Sequence, residues 1–380
     1  MSPARKDKVA TVILAAGYSS RMGCFKPMLP LGGSSALERI INAARSAGSA
    51  GIYVVTGHND TVLAATLEQM KVRQIHNPTF DTGMYSSIAA GVSGLASDVD
   101  ACLILPVDIP LVRKATLERL IAHHPAKQTV VLYPTFRGQR GHPPRIQRAL
   151  FPKIIEAQAA SDNGGLKHLL EQYAQQAEQI AVFDQCILFD MDTPDDYVRL
   201  CALAENQEIP SVEECEAILA ERKVDDHVLR HSYQVANVAR CLSQALITRG
   251  IKLNQGRILA AALLHDMSRS EPHHAQAGAA AIEALGFPDL APLIASHMDL
   301  QYCAEIPDDA AIVYLADKLV KEDQLVSLQT RFQLAFERFS QQPKALQGAK
   351  QRYDAACAIA DSITRITGMS LNELLSTIGK

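Results

Sequence analysis

The stretch from Val9 to Gly33, VATVILAAGYSSRMGCFKPMLPLGG, constrains the chain more than any other. It opens with a β-branched apolar run, Val9 to Leu14, that has no helical period and therefore predicts a buried strand. A loop over residues 15–26 must follow, and it carries Gly17, Ser19, Ser20, Arg21, Gly23 and Lys26. Glycine lets main-chain N–H groups approach phosphate oxygens, and fixed cations offset charge that would repel a nucleophile. Such a loop suits a polyphosphate, whereas a lone glycine pair would mean no more than a tight turn. Neither a Walker A lysine-serine pair nor a dinucleotide fingerprint is present, which argues against a P-loop NTPase or a dehydrogenase.

Beyond the loop, Ala36, Leu37, Ile40, Ile41 and Ala44 recur at helical spacing, and Ile52 to Val55 predicts a second strand. A helix over 60–70 and a strand near 72–75 repeat the alternation. The expected fold class is α/β, a doubly wound, mostly parallel sheet, with ligands beyond the carboxyl ends of its strands. A further apolar strand, 101–105, runs into Asp108, held between Pro106 and Pro110. Magnesium takes one or two carboxylates and leaves its other positions to water and phosphates, so Asp108 is a candidate metal ligand; the plainer alternative is a cap for a helix beginning near Lys114. Residues 77–91, NPTFDTGMYSSIAAG, predict a polar turn and a helix starting near Tyr85 or Ser86.

LAAG, S-x-R-M-G and K-x-x-L-P, all filled in this chain, resemble the signature of nucleotidyltransferases related to the molybdenum-cofactor guanylyl- and cytidylyltransferases. The N-P-x-x-x-x-G-M-x-x-S segment is similar to that of the cytidylyltransferase branch. The resemblance implies a Rossmann-like domain whose nucleotide contacts are Leu14, Ala15, Ala16, Gly17, Arg21, Lys26, Gly83, Ser86 and Ser87. It also implies catalytic roles for Arg21, Lys26 and Asp108, and a Mg²⁺ site completed by Asp192 in FDMDTPDDY, with Asp190 as second choice. LAAG in place of LAGG implies a pyrimidine nucleotide, CTP, and the family resemblance as a whole implies a phosphate-bearing acceptor, the molybdenum cofactor, with a molybdoenzyme as partner. GQRGHPP, residues 138–144, resembles the family's acceptor segment, where His142 reads either as a substrate contact or as a turn residue. SDNGGLKHLL, 161–170, resembles G-D-x-G-x-R-x-L-L, but Lys167 replaces the usual arginine and its planar fork. A sugar phosphate or another small phosphate is the alternative acceptor.

Polar residues 206–211 read as a linker, and apolar helical patterns without strand signals occupy the rest, predicting an all-α second domain. The expected domains are 1–206 and 207–380. The second contains His231, the adjacent His265 and Asp266, His274, His297 and Asp317. One buried His-Asp pair is commonly a structural hydrogen bond, but this ordered set on predicted helices resembles the HD superfamily of metal-dependent phosphohydrolases. The resemblance implies that all six residues bind metal and that His265 and Asp266 are catalytic, with His273 as a substitute for His274 if the register slips. Mixed imidazole and carboxylate ligands suit one or two of Fe, Mn, Co or Zn. Arg269 and Lys318 read as surface cations, with substrate phosphate as their functional alternative.

At 380 residues the chain exceeds one core, and its formal charge of −4 with scattered Lys and Arg argues against nucleic acid as a partner. No apolar run reaches membrane-spanning length and no signal-peptide core follows the N-terminus, so a soluble, cytoplasmic protein is expected. Its eight cysteines are dispersed without a C-x-x-C pair, which predicts reduced thiols. Helices after Val326 are candidates for packing the domain or a homodimer. The expected function is bifunctional, nucleotidyl transfer and phosphohydrolysis; a nucleotide sensor or partner-binding protein with one inactive domain is the alternative of another class.

Overall fold

In the computed structural model, which describes residues 7–159, 165–302 and 305–376, the first apolar run becomes strand β1, Val9–Leu14, buried along its whole length. The chain divides into two compact units after Gln207. In the first, β2 (Ile52–Thr56), β3 (Arg73–His76), β4 (Ala101–Pro106), β5 (Val131–Phe136), β6 (Arg145–Gln147) and β7 (Ala177–Ala181) join β1 in one sheet. The order across it is β7-β5-β6-β4-β1-β2-β3, with Gln139–Arg140 paired onto β5. Neighbours are parallel except at β6, which runs antiparallel to both β4 and β5, and at Gln139–Arg140, which runs antiparallel to β5. The mostly parallel expectation holds, and the short reversed strand is the addition.

Helix α1 (Ala36–Ser46) buries the predicted stripe Leu37, Ile40 and Ile41, each contributing about 1.5–3 kcal/mol of transfer free energy. Its start is set by Ser35 and Glu38, which form a reciprocal capping box. The predicted Asp60 helix forms as α2 (Asp60–Gln69). Helix α3 (Met84–Ser93) starts one residue before the expected range, because Gly83 at φ 117° turns the chain into it. It lies close on the sheet at Gly91, where a Cβ would stand 2.5 Å from Val12 Cγ1. Helix α4 (Lys114–Ala122) begins where predicted, and α5 (Phe151–Ala159), α6 (Gly165–Glu171) and α7 (Pro194–Glu205) follow in the same unit. The last carbonyls of α4 are not left to water: the fully buried Arg145 donates to Leu120 O at 2.9 Å and His123 O at 2.7 Å, and it pairs with Asp7. Arg145→Ala strands those buried acceptors, and we expect a loss on the order of 3 kcal/mol, read as a lowered urea midpoint.

The second unit is helical: α8 (Val212–Glu221), the long α9 (Asp226–Thr248), α10 (Gln255–Leu264), α11 (His274–Ala284), α12 (Ala291–Ser296), α13 (Asp309–Lys318), then α14 (Leu328–Arg338), α15 (Pro343–Thr367) and α16 (Leu371–Leu375). A two-residue hairpin, Val320–Lys321 with Gln324–Leu325, is the departure from the all-helical expectation. The seven cysteines among the described residues are free, as their dispersed spacing predicts. Among the described residues no helix is long and apolar enough to cross a membrane.

Candidate functional sites

β1 lies between β2 and β4, which the chain reaches by connections leading to opposite sides, so the loops after β1 and β4 flank a switch point where α/β sheets open a crevice. The loop after β1 is anchored at its start: Ala15 N–H donates to Val55 O at 2.9 Å, and Ala16 O accepts from His58 N–H at 3.1 Å. Leu14, Ala15 and Ala16 are buried, while Gly17 is exposed with open space where a Cβ would stand. Ser19 (φ 55°) and Gly23 (φ 67°) bend the chain back, and Lys26 N–H donates to Ser19 Oγ at 3.2 Å. These bends deliver Lys26, 8% exposed, beneath the loop.

There its ammonium lies 2.7 Å from Asp192 Oδ1 and 3.7 Å from Asp108 Oδ2, and Arg21 Nη1 is 2.7 Å from Asp192 Oδ2. The structure thus brings together the four predicted residues Arg21, Lys26, Asp108 and Asp192, the last from a segment far along the chain. That segment is tied in by Met191 N–H donating to Asp108 O at 2.8 Å, and Thr193 with Asp196 caps α7 (Pro194–Glu205) directly behind it. Burial raises the Asp108 pKa, Lys26 opposes the rise, and the charges of Asp192 and Asp190 reinforce it. The donor set is all hard carboxylate oxygen, which fits Mg²⁺. Lys26 is fixed by burial, whereas the Arg21 side chain is 75% exposed, so its ion pair is weak and its guanidinium is free to move to a ligand.

Ser86 and Ser87 are differently employed. Asn77 Nδ2 donates to their hydroxyls at 2.8 and 3.0 Å, and the Ser86 hydroxyl faces the carbonyls of Thr79 and Gly83. They brace the loop over 77–83, with Gly83 supplying its positive φ. His142 N–H donates to Ile187 O at 2.9 Å; desolvation lowers the imidazole pKa and Asp190 opposes that. Lys167 is exposed on α6 (Gly165–Glu171), and the 161–164 part of its motif lies outside the described residues. Sequence reading missed three rings. Tyr18, His58 and Phe80, from the loops after β1, β2 and β3, cluster with centroids 4.9 to 6.3 Å apart at the same end of the sheet. Tyr18 remains 55% exposed. Their only sequence signal was that each stands in a predicted strand-to-helix loop.

The second unit gathers its six predicted residues. His231 comes from α9, His265 and Asp266 follow α10 directly, His274 opens α11, His297 caps α12, and Asp317 lies in the last turn of α13. Their imidazoles form a chain: His231–His265, His265–His297 and His297–His274 have ring centroids 5.0 to 5.3 Å apart. His274 Nε2 is 3.3 Å from Asp266 Oδ1, whereas His273 is exposed, so His274 is the member of the cluster.

The outer nitrogens set the tautomers. Nδ1 of His231, His265 and His297 lies 2.7, 2.8 and 2.6 Å from the carbonyls of Glu322, Ala262 and Ile294. Each Nδ1 must then carry the proton, which leaves Nε2 of His265 and His297 with a lone pair facing inward, whereas His231 also hydrogen-bonds Asp317 through its Nε2. His231 Nε2 and His265 Nε2 approach Asp317 Oδ1 at 3.1 and 3.8 Å. Nε2 of His265, His274 and His297, together with Asp266 Oδ1, are buried without a hydrogen-bond partner. Orphaned acceptors converging in this way are costly unless a cation joins them, so the residues fit a metal of the Fe, Mn, Co or Zn type.

Protonation follows the same logic. Burial lowers the His265 pKa to about 4, against the pull of Asp266, and burial also lowers that of His274. For His231 burial is outweighed by the Asp317 hydrogen bond and charge, and the pKa rises. Burial alone would raise Asp266 and Asp317; His265, His297 and Arg269 hold the first below the usual carboxylate range, and Lys318 with His231 does so for the second. Arg269 meets Asp266 Oδ2 at 2.8 Å with its side chain 52% exposed. Lys318 corrects the surface reading: it is 5% exposed and enclosed beside Asp317 and His297.

Comparison with known proteins gives both units a family. The HD domain matches residues 228–321, and the MobA-like NTP transferase domain matches residues 11–178. The chain is 27% identical over 188 residues to the molybdenum cofactor cytidylyltransferase of Escherichia coli (strain K12), covering 49% of this chain and 92% of that protein. It is 28% identical over 198 residues to the nicotine blue oxidoreductase of Paenarthrobacter nicotinovorans, covering 50% and 96%. With the bifunctional protein GlmU of Geotalea uraniireducens (strain Rf4) it shares 32% identity over 164 residues, 41% of this chain and 35% of that one. The chain therefore matches about a third of the length of GlmU. Both domain families are enzymatic. The chain joins a MobA-like NTP transferase domain to an HD domain.

Proposed function

We propose that the first domain transfers a cytidylyl group from CTP to the phosphate of the molybdenum cofactor and that the HD domain hydrolyses a phosphate ester or anhydride. The observation that carries the first half is the convergence of Arg21, Lys26, Asp108 and Asp192 at the switch point of the sheet. An acceptor phosphate oxygen attacks the α-phosphorus in line; the new P–O bond forms as the bond to the β-phosphate oxygen breaks, and pyrophosphate carries away the electron pair. No group on the protein is covalently modified, so the chain acts by holding and neutralising. The exposed amides from Gly17 onward receive phosphate oxygens, Lys26 offers a fixed cation, and Arg21 releases Asp192 to follow the triphosphate. Mg²⁺, held by Asp108 and Asp192, would supply charge neutralisation at the reacting phosphates. The ring of Tyr18 offers an open face for a planar base or pterin.

CTP and the molybdenum cofactor are supported by the LAAG and N-P-x-x-x-x-G-M-x-x-S motifs and by likeness to the cytidylyltransferase of Escherichia coli. In the HD domain the six residues His231, His265, Asp266, His274, His297 and Asp317 would hold one or two transition metals, which supply Lewis acidity toward a phosphoryl group. Arg269 at the rim is placed to exchange Asp266 for a substrate phosphate. A homodimer built on the C-terminal helices and hand-over of product to a molybdoenzyme belong to the same reading.

The test is pyrophosphate release by the full chain with Mg²⁺, comparing CTP, GTP, UTP and ATP, each with molybdenum cofactor or a panel of sugar phosphates. Release confined to CTP with the cofactor is the expected result. Release with a sugar phosphate would replace the acceptor, and silence with every pair would overturn nucleotidyl transfer. Phosphate release from a nucleotide panel with Mn²⁺, Co²⁺, Fe²⁺ and Zn²⁺ tests the second domain.

A further inference from the structure

Lys318 occupies an unusual place for a lysine. Its side chain is 6% exposed, and its Nζ lies 2.6 Å from Asp317 Oδ2, 2.9 Å from the His297 carbonyl oxygen and 4.8 Å from the centroid of the Tyr314 ring. Two hydrogen bonds and a ring face satisfy the three N–H donors of the ammonium, so the charge is buried fully partnered. Tyr314 is itself fixed, fully buried and donating its hydroxyl to Arg352 O at 2.9 Å. The two oxygens Lys318 holds belong to residues on different elements, Asp317 in α13 and His297 at the end of α12.

We propose that Lys318 is a positioning residue for the metal centre: it occupies Oδ2 of Asp317 so that Oδ1 alone faces the histidines, and it clamps the backbone of His297 so that Nε2 keeps its aim. The inference rests on the reading of the second unit as a metal centre. Asp266 shows a partial parallel: Arg269 takes its Oδ2, which also lies 3.6 Å from His265 Nε2, and Oδ1 faces His274 and His297. The two cations differ in mobility. Arg269 reaches solvent and can leave; Lys318 is enclosed and cannot, so its contribution is orientation and not substrate capture. A ligand whose second oxygen is held loses its freedom to rotate away or chelate through both oxygens, which is how supporting partners tune metal sites.

Charge and alignment make opposite predictions for removal of this lysine. By charge alone, deleting a cation beside Asp317 tightens binding of a dication. Loss of alignment loosens it, by about 10–100-fold for a partner of this kind. The experiment is Co²⁺ titration of the full chain, followed by the visible ligand-field spectrum and by calorimetry, for wild type, Lys318→Met and Lys318→Gln. Methionine keeps the bulk and removes charge and donors; glutamine keeps two donors near both oxygens.

We expect wild type to bind Co²⁺ and Lys318→Met to bind it at least tenfold more weakly, with a changed spectrum and Lys318→Gln in between. Unchanged or tighter binding by Lys318→Met overturns the positioning role, even if its melting temperature falls, because a merely structural lysine would move stability and leave the spectrum alone. If Lys318→Met does not fold, Lys318→Gln decides by the same two readouts. Absence of Co²⁺ binding by wild type would instead overturn the metal-centre reading and the inference with it.

Discussion

Asp266→Ala is expected to abolish phosphate release by the HD domain while leaving nucleotidyl transfer by the same polypeptide at the wild-type rate. Asp266 is the meeting point of its site: Oδ1 lies 3.3 Å from His274 Nε2 and 3.5 Å from His297 Nε2, and Oδ2 lies 3.6 Å from His265 Nε2. No other carboxylate in the cluster reaches His274 and His297, because Asp317 faces His231 and His265. Removing it takes away the carboxylate on which three imidazoles converge, so the loss should exceed the 10–100-fold that a supporting partner costs in metal affinity. The change also frees Arg269, whose exposed side chain costs little when unpaired. Nucleotidyl transfer measured on the same preparation is the internal control for folding of the first unit. Phosphate release that persists within tenfold of wild type would remove Asp266 from the reaction.

How far such a site can be read from sequence depends on whether the chemistry lies in residue identity or in backbone direction. The six metal-ligand candidates were legible because His and Asp beside apolar helical patterns are rare and costly without a partner. What makes them acceptors was not, since it depends on which carbonyl each Nδ1 meets. The Glu322 carbonyl that orients His231 sits in the turn of a two-residue hairpin, at φ 57°, too short for any periodicity to announce. Lys318 follows Asp317 directly and read as a surface cation; only the position of Tyr314 one turn before it and of His297 on another element shows that it is enclosed.

In the first unit the strand-loop-helix order and the carboxyl-end placement of residues 15–26 and Asp108 followed from hydrophobic pattern. β6 did not, because three residues between a turn motif and a short helical turn carry no alternation. Its reversed direction also places Arg145 where it ties off α4, a long-range role that a lone arginine just after a substrate-like motif does not advertise. Ser86 and Ser87 matched a binding motif, and Asn77 donates to both hydroxyls, so the same motif also sets the shape of the loop.

Lys26→Met is the complementary change, expected to lower kcat/KM for nucleotidyl transfer by about 10²–10³ and to leave HD phosphate release untouched. Lys26 is the hub of its site, lying beside both Asp192 and Asp108. Methionine keeps the packing of the buried stem and removes the charge. Two consequences then act together. The triphosphate loses a cation that is held in place before it arrives, and Asp108 loses the force that opposes its rise in pKa, so more of it is protonated at a given pH. Arg21→Met separates this from mere loss of positive charge. Arg21 is exposed and its ion pair to Asp192 is worth about 0–1 kcal/mol, so its removal should act chiefly on KM for the nucleotide. If both variants raised KM equally and left kcat alone, Lys26 would be one more surface attraction for the triphosphate. A fall in kcat confined to Lys26→Met is what a preorganised cation between the two carboxylates proposed to hold Mg²⁺ requires.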